Sequence, residues 1–268
     1  MNEFKWVGSE KHFVDELDVS QVGHVTVGRF GGNSSAGQYK NEDGCLVWVC
    51  ESGKWEFTML FDGHKTAQSV ELVIDHFNRE KIQIQKVLML PAGEALKKMD
   101  SIILDIFQAP DFMEACRKTT GETACMIVIR KEKYLWWFSI GDCILHVFHP
   151  ELIVLGERQL NQRSFYEWVG EVNTFEMPVP CYSTGKKELR QGESQIFMTT
   201  DGLTECPGVA FEEPAAVEEK FKGYSGQEGV QILLEEVRVK GVRDSTTIIF
   251  WSVQIEETAT LPSDSDIS

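Results

Sequence analysis

Trp55-Glu56-Phe57-Thr58-Met59-Leu60-Phe61-Asp62-Gly63-His64 begins as an apolar, strand-like run and stops on an acid. Upstream, Cys45-Leu46-Val47-Trp48-Val49-Cys50 has the same character, and the intervening Glu51-Ser52-Gly53-Lys54 has the length and composition of a hairpin turn. Paired positions in a hairpin sum to a constant, so if Cys50 faces Trp55, then Asp43 faces Asp62. The acidic cluster Asn41-Glu42-Asp43 therefore meets Asp62-Gly63-His64.

Two further runs behave alike. Ser194 to Thr200 reads as a strand ending at Asp201-Gly202-Leu203, and Asp244 to Trp251 as one that begins at its aspartate. In an antiparallel sheet the ends of some strands and the starts of others share a rim. Asp43, Asp62, Asp201 and Asp244, with Glu42 beside them, thus converge on one edge. A lone Asp-Gly-His is a weak signal, and acids at strand ends are common because Asp favours turns. Jointly they weigh more, since each acidic turn abuts a strongly apolar strand and carries a small partner, Gly63, Gly202 or Ser245. Carboxylates gathered so closely disfavour one another's ionisation, and a bound divalent cation relieves that cost.

With 268 residues, 42% of them hydrophobic, the chain can bury the core of one large domain. No apolar run nears the ~20 residues of a membrane span, nor is there a signal-peptide core, so no membrane is expected. A net charge of −16 without a Lys/Arg stripe excludes a general nucleic-acid binder. The seven cysteines are odd in number and form no Cys-x-x-Cys pair. They read as reduced thiols, which makes the cytoplasm the expected compartment.

Helical spacing of Ala67, Val70, Val73, Ile74 and Phe77 predicts a helix over 66–79, and that of Ala95, Met99, Ile102, Ile103 and Ile106 a second over 92–107, with Pro91 between them. Strands over 123–130, 133–140 and 143–149 follow, and Gly141-Asp142 reads as a hairpin turn that completes a meander. Residues 150–192 show no clear period and read as an irregular surface segment. A last helix is expected over 229–239, and residues 256–268 as a disordered acidic tail. The domain proper would be 1–255. The class is α+β: two packed antiparallel sheets with helices outside.

The ordered set Asn41-Glu42-Asp43, Phe61-Asp62-Gly63-His64, Gly121-Glu122-Thr123-Ala124, Gly141-Asp142-Cys143, Thr200-Asp201-Gly202-Leu203 and Asp244-Ser245-Thr246-Thr247 resembles the metal-dependent serine/threonine protein phosphatases of the PPM family, the type 2C phosphatases. The resemblance implies a four-layer α-β-β-α sandwich with two Mn²⁺ or Mg²⁺ ions at one sheet edge. It also implies roles: Asp62 bridges both ions, the Gly63 carbonyl binds one, Asp201 and Asp244 hold the other, and Glu42 and Asp43 act through waters. Oxygen-only ligation suits such hard cations. The implied activity is hydrolysis of phosphoserine and phosphothreonine in a phosphorylated protein by an activated water, with His64 as proton donor to the leaving alkoxide.

The chain departs from the family pattern in several places. Gln38 stands where many members carry a phosphate-gripping Arg, which leaves Arg29, Lys40 or Lys65 as substitutes, and Lys65-Thr66 replaces a glycine pair. Asp142 and Glu205 match ligands of a third ion found in some members, yet Arg117-Lys118 occupies the place of another acid of that site. The irregular 150–192 segment corresponds to the variable flap of these enzymes, and its Arg158, Arg163, Lys186 and Lys187 are either solvated or face a phosphoprotein. Two rivals follow: a weakly active or inactive phosphatase-fold binding module, and a hydrolase of small phosphoesters.

Overall fold

The computed structural model describes residues 1–260. Strands β1 (Asn2–Val7), β2 (Leu17–Val22), β3 (Val25–Phe30), β4 (Gly44–Val49) and β5 (Trp55–His64) lead into helices α1 (Gln68–Leu88), α2 (Ala92–Phe107) and α3 (Pro110–Cys116). Next come β6 (Glu122–Lys131), β7 (Tyr134–Ile140), β8 (Ile144–Phe148), α4 (Pro150–Val154), β9 (Val169–Gly170), β10 (Ser183–Glu188) and β11 (Gly192–Thr199). The chain closes with α5 (Asp201–Thr204), α6 (Pro214–Glu219), α7 (Gly226–Lys240) and β12 (Thr246–Ile255).

Every strand pairing is antiparallel. One sheet runs β1-β4-β5-β6-β7-β10 with β9 on β6, and the other β2-β3-β12-β11-β8. Alternation along each central strand divides the apolar side chains between two cores. On β6, Cys125, Ile127 and Ile129 join Val70, Ile74, Phe77, Met99 and Phe107 beneath the first helices. Ala124, Met126 and Val128 face the other way, into the layer shared with Met198, Ile249 and Trp251. The outer face of the second sheet, with Phe197, Ile248 and Phe250, is covered by Leu203, Val217, Leu233 and Val237 of the later helices. The result is the expected four layers, helix-sheet-sheet-helix, with each buried Leu, Ile or Phe contributing roughly 1.5–3 kcal/mol.

The decisive hairpin has the counted register. Gly44 pairs with Phe61 and Val49 with Glu56, while the Cys50 N–H donates to the Trp55 carbonyl at 3.1 Å. The meander does not form. β7 pairs with β6 and β10, whereas β8 lies in the other sheet beside β11, so Gly141-Asp142 carries the chain from one layer to the next. Gly141 makes that crossing in a left-handed conformation (φ +85°), with the Ala124 Cβ 2.5 Å from where a side chain of its own would begin.

Elsewhere regular structure exceeds what the periodicity predicts. Three strands lie within residues 2–30, α1 runs nine residues past 79, and α4, β9 and β10 occupy parts of 150–192. Of the acidic tail, 261–268 lie outside the described residues, while Glu257 pairs with Lys133 at 3.2 Å and Ala259 is buried. Among the described residues no helix is long and apolar enough to cross a membrane, and all seven cysteines are free.

Candidate metal centre

Antiparallel pairing brings strand ends from both sheets to one rim. Asp62 sits near the end of β5, opposite Ala124, and the Thr123 hydroxyl donates to its backbone carbonyl at 2.9 Å. Asp43 immediately precedes β4. The Asp43 carboxylate accepts hydrogen bonds from the hydroxyls of Thr247 (2.7 Å) and Thr200 (3.3 Å), which belong to the second sheet and its exit. Asp201 opens α5, and Asp142 rides on the crossing between sheets. One carboxylate oxygen each from Asp62, Asp142 and Asp201 lie within 4.8 Å of one another.

The close approach depends on small residues. A side chain on Gly202 would start 2.0 Å from the Ser245 carbonyl, and one on Gly63 would start 2.5 Å from that of Glu42. These glycines let the four acidic turns pack backbone to backbone.

Such crowding appears in the acidities. Burial first, then the charges of Asp201, Asp43 and Asp244, hold the Asp62 carboxyl well above the usual range. Asp43 is raised chiefly by burial, and its threonine hydrogen bonds oppose that. Burial and the neighbouring Asp244 push Asp201 up to about 7. Asp142 is raised by burial and lowered by Arg163. These are groups that need either protons or a cation. Asp142 Oδ1 and Asp201 Oδ1 are buried without a hydrogen-bond partner among the described residues. An oxygen-only, electron-rich set with unsatisfied acceptors aimed inward fits a hard divalent ion.

The remaining candidates are spread around this centre. Asp244 is solvent-exposed at the rim, with its Oδ1 accepting from the Ser245 N–H at 2.9 Å, and its charge presses on Asp43, Asp62 and Asp201. Glu42, half-buried, is ion-paired with Lys40, whose ammonium also donates to the Lys65 carbonyl at 2.5 Å. His64 is exposed at the end of β5 with its ring edge-on to Trp168, centroids 6.1 Å apart. Glu205 meets Arg163 at 3.0 Å.

Of the four phosphate-binding candidates, Arg29 is a correction. It is buried, ion-paired with Asp18 and enclosed by the rings of Phe4, Trp6 and Phe13 at 4.7–5.1 Å, so its guanidinium belongs to the core of the sheet edge. Lys65 is held by Glu171 at 3.1 Å, and Gln38 is half-buried with its Cγ beside Gly32.

Three participants were not assigned to the site from sequence. The hydroxyls of Thr200 and Thr247 flank the motif aspartates, and that adjacency is a readable signal. Arg163 stands among Asp142, Asp201 and Glu205, and no local pattern announces it, because a non-periodic segment delivers it.

No family model matches the chain, and no curated protein does either. Solved structures share its fold. The serine/threonine phosphatase Stp1 from Staphylococcus aureus aligns with a TM-score of 0.61 at 14% identity over 89% of this chain and 94% of its own. RsbX in complex with magnesium gives 0.58 at 13% over 88% and 100%, and the catalytic domain of the serine threonine protein phosphatase PstP in complex with two manganese ions gives 0.56 at 14% over 79% and 91%.

Proposed function

We propose that this chain, which carries the fold of those phosphatases, hydrolyses phosphoserine and phosphothreonine in proteins with the help of a Mn²⁺ or Mg²⁺ pair. The observation that carries the reading is the meeting of Asp62, Asp142 and Asp201 oxygens within 4.8 Å, in a site whose carboxyls are raised by burial and by one another. Bound there, divalent ions would supply a water of lowered pKa and neutralise charge on the phosphoryl oxygens.

The side chains would divide the work. Asp62, the Gly63 carbonyl, Asp201 and Asp244 would hold the ions. Asp43 is already occupied by Thr200 and Thr247, and Glu42 by Lys40, which supports an outer role for both, through water. His64, exposed at the mouth and steadied by Trp168, would give a proton to the departing serine or threonine oxygen, a contribution of typically ~10²–10⁴-fold. With Arg29 enclosed, Lys40 and Lys65 are the cations among the four candidates left near the mouth to attract phosphate. Seven free thiols support a reducing compartment such as the cytoplasm.

The test is hydrolysis of a phosphothreonine peptide with and without Mn²⁺, for the native protein and for Asp62→Asn. Since outer-sphere partners of a metal are commonly worth 10–100-fold, loss of a bridging carboxylate is expected to cost more than roughly 100-fold. Activity without metal that survives the substitution would refute the reading. Gln38 in the arginine position, with Lys40 and Lys65 both held by glutamates, favours a second one: a weakly active or inactive binding module that keeps the fold and recognises a signalling partner. Absence of turnover and of metal uptake at millimolar Mn²⁺ would select it.

A further inference from the structure

The outer side of the acidic centre contains a cation of the chain's own. The Arg163 Nη2 lies 3.0 Å from Glu205, 3.7 Å from Asp201 and 3.9 Å from Asp142, and its guanidinium rests against the Phe165 ring at 4.9 Å. The side chain is 22% exposed, and its Nε is buried without a partner among the described residues. This is an enclosed guanidinium, unlike a surface arginine swept across acids by chance.

The backbone around it is fastened to the crossing that carries Asp142. The Ser164 N–H donates to the Gly141 carbonyl at 2.9 Å. Two residues earlier in the segment than Arg163, the buried Asn161 amide donates to the Cys143 carbonyl at 2.8 Å, and its oxygen accepts from the Leu145 N–H at 2.8 Å. Three hydrogen bonds, one on one side of Arg163 and two on the other, therefore clamp residues 161–164 onto residues 141–145. Such clamping fixes the backbone beforehand and spares that part of the entropy an arginine on a free loop would lose on entering the cluster.

We infer that Arg163 is a tethered monovalent cation that closes the outer acid group, Asp142 with Asp201 and Glu205, to a further divalent ion, so that the chain takes two ions and no third. The inference rests on the phosphatase reading for the two inner ions. A guanidinium donates hydrogen bonds to carboxylates in a planar fork and lacks the charge density to organise oxygens around a point, so it balances charge there without supplying a Lewis acid. A third divalent ion and the guanidinium cannot share the Glu205 oxygen and the Oδ2 atoms of Asp142 and Asp201 that Arg163 faces, because they would repel across a few ångströms, whereas Asp201 Oδ1, buried without a partner among the described residues, stays free for an inner ion. The electrostatic effect is already visible, since Arg163 opposes the rise in pKa that burial imposes on Asp142.

The experiment counts ions. Calorimetric titration with Mn²⁺, checked by the electron paramagnetic resonance signal of free Mn²⁺, is applied to the native protein, Arg163→Gln and Arg163→Lys, with circular dichroism as the control for folding. Two ions are expected in the native chain and in Arg163→Lys, which keeps a tethered charge. Arg163→Gln is expected to take up a third, bound at least tenfold more tightly than any third ion in the native protein, and to lose it again on adding Asp142→Asn. Arg163→Ala serves the same purpose should the glutamine variant fail to fold. Three ions in the native chain, or two in both the native and the uncharged variants, overturns the inference and leaves the phosphatase reading standing. No ion in any variant overturns both, whereas two ions without dephosphorylation of the phosphothreonine peptide sinks the activity alone.

Discussion

At Gly202 one missing methyl group decides whether two acidic turns can touch. A Cβ there would begin 2.0 Å from the Ser245 carbonyl, a rigid backbone atom that cannot swing aside. Gly202→Ala is expected to destabilise the fold by about 1–3 kcal/mol, as overpacking commonly does, and to separate Asp201 from Asp244. Urea unfolding and Mn²⁺ affinity, measured on the same variant, check both halves of that expectation. A second residue acts far from the rim. His146 is buried beside Phe148 and Phe197, neither ring nitrogen has a partner among the described residues, and burial lowers its pKa to about 4. A depressed folded-state value means that the neutral ring is tolerated above pH 6.5 and that stability is lost as pH falls from there toward 4. His146→Phe should therefore match the native protein near neutrality and exceed it by about 2 kcal/mol at pH 5, since the buried ring costs ~1.4 kcal/mol for each pH unit of that descent. Equal acid limbs for the two proteins would refute this.

At the scale of elements, hairpin arithmetic was legible because a short turn leaves the pairing of Asp43 and Asp62 little freedom. The Gly141-Asp142 turn misled for the complementary reason. A glycine-acid pair between apolar runs can reverse a chain or pass it to another layer, and only the packing of β8 against β11 distinguishes the two. Strands β1 to β3 were silent, since Leu17-Asp18-Val19-Ser20-Gln21-Val22 alternates weakly and takes its place from its pairing with β3. Helix α7 shows the opposite case, in which local chemistry suffices. Ser225 and Glu228 form a reciprocal capping box, and Gly241 ends the helix in the left-handed region. Ser225→Ala should cost about 1 kcal/mol and speed hydrogen exchange in the first turn of α7, leaving Mn²⁺ uptake and dephosphorylation of the phosphothreonine peptide as in the native protein. The position of Arg163 had no comparable local signal. It depends on tertiary hydrogen bonds from Asn161 and Ser164 that no periodicity encodes.

For the molecule as a whole, the acidic centre makes metal-free stability run against pH. A carboxyl with a raised folded-state pKa contributes stability that is complete below its unfolded value, 3.8 for Asp, and is lost as pH rises through the folded value, about 7 for Asp201. Asp43, Asp62 and Asp142 are raised likewise. In chelator, melting temperature should fall from pH 5.5 to 8 once the opposing His146 contribution is removed with His146→Phe. Saturating Mn²⁺ should flatten that slope, because a loaded centre stays deprotonated throughout this range. A gap between the two melting curves that does not widen with pH would contradict the picture.

Asp43 and Asp62 come from one sheet, Thr200, Asp201 and Thr247 from the other or its exit, and Asp142 from the span between. An ion seated there would rivet the two leaves of the sandwich at a corner where, without it, mutual repulsion pries them apart. Loading should then suppress shear between the leaves, and the same acidic seam would govern how readily the molecule opens.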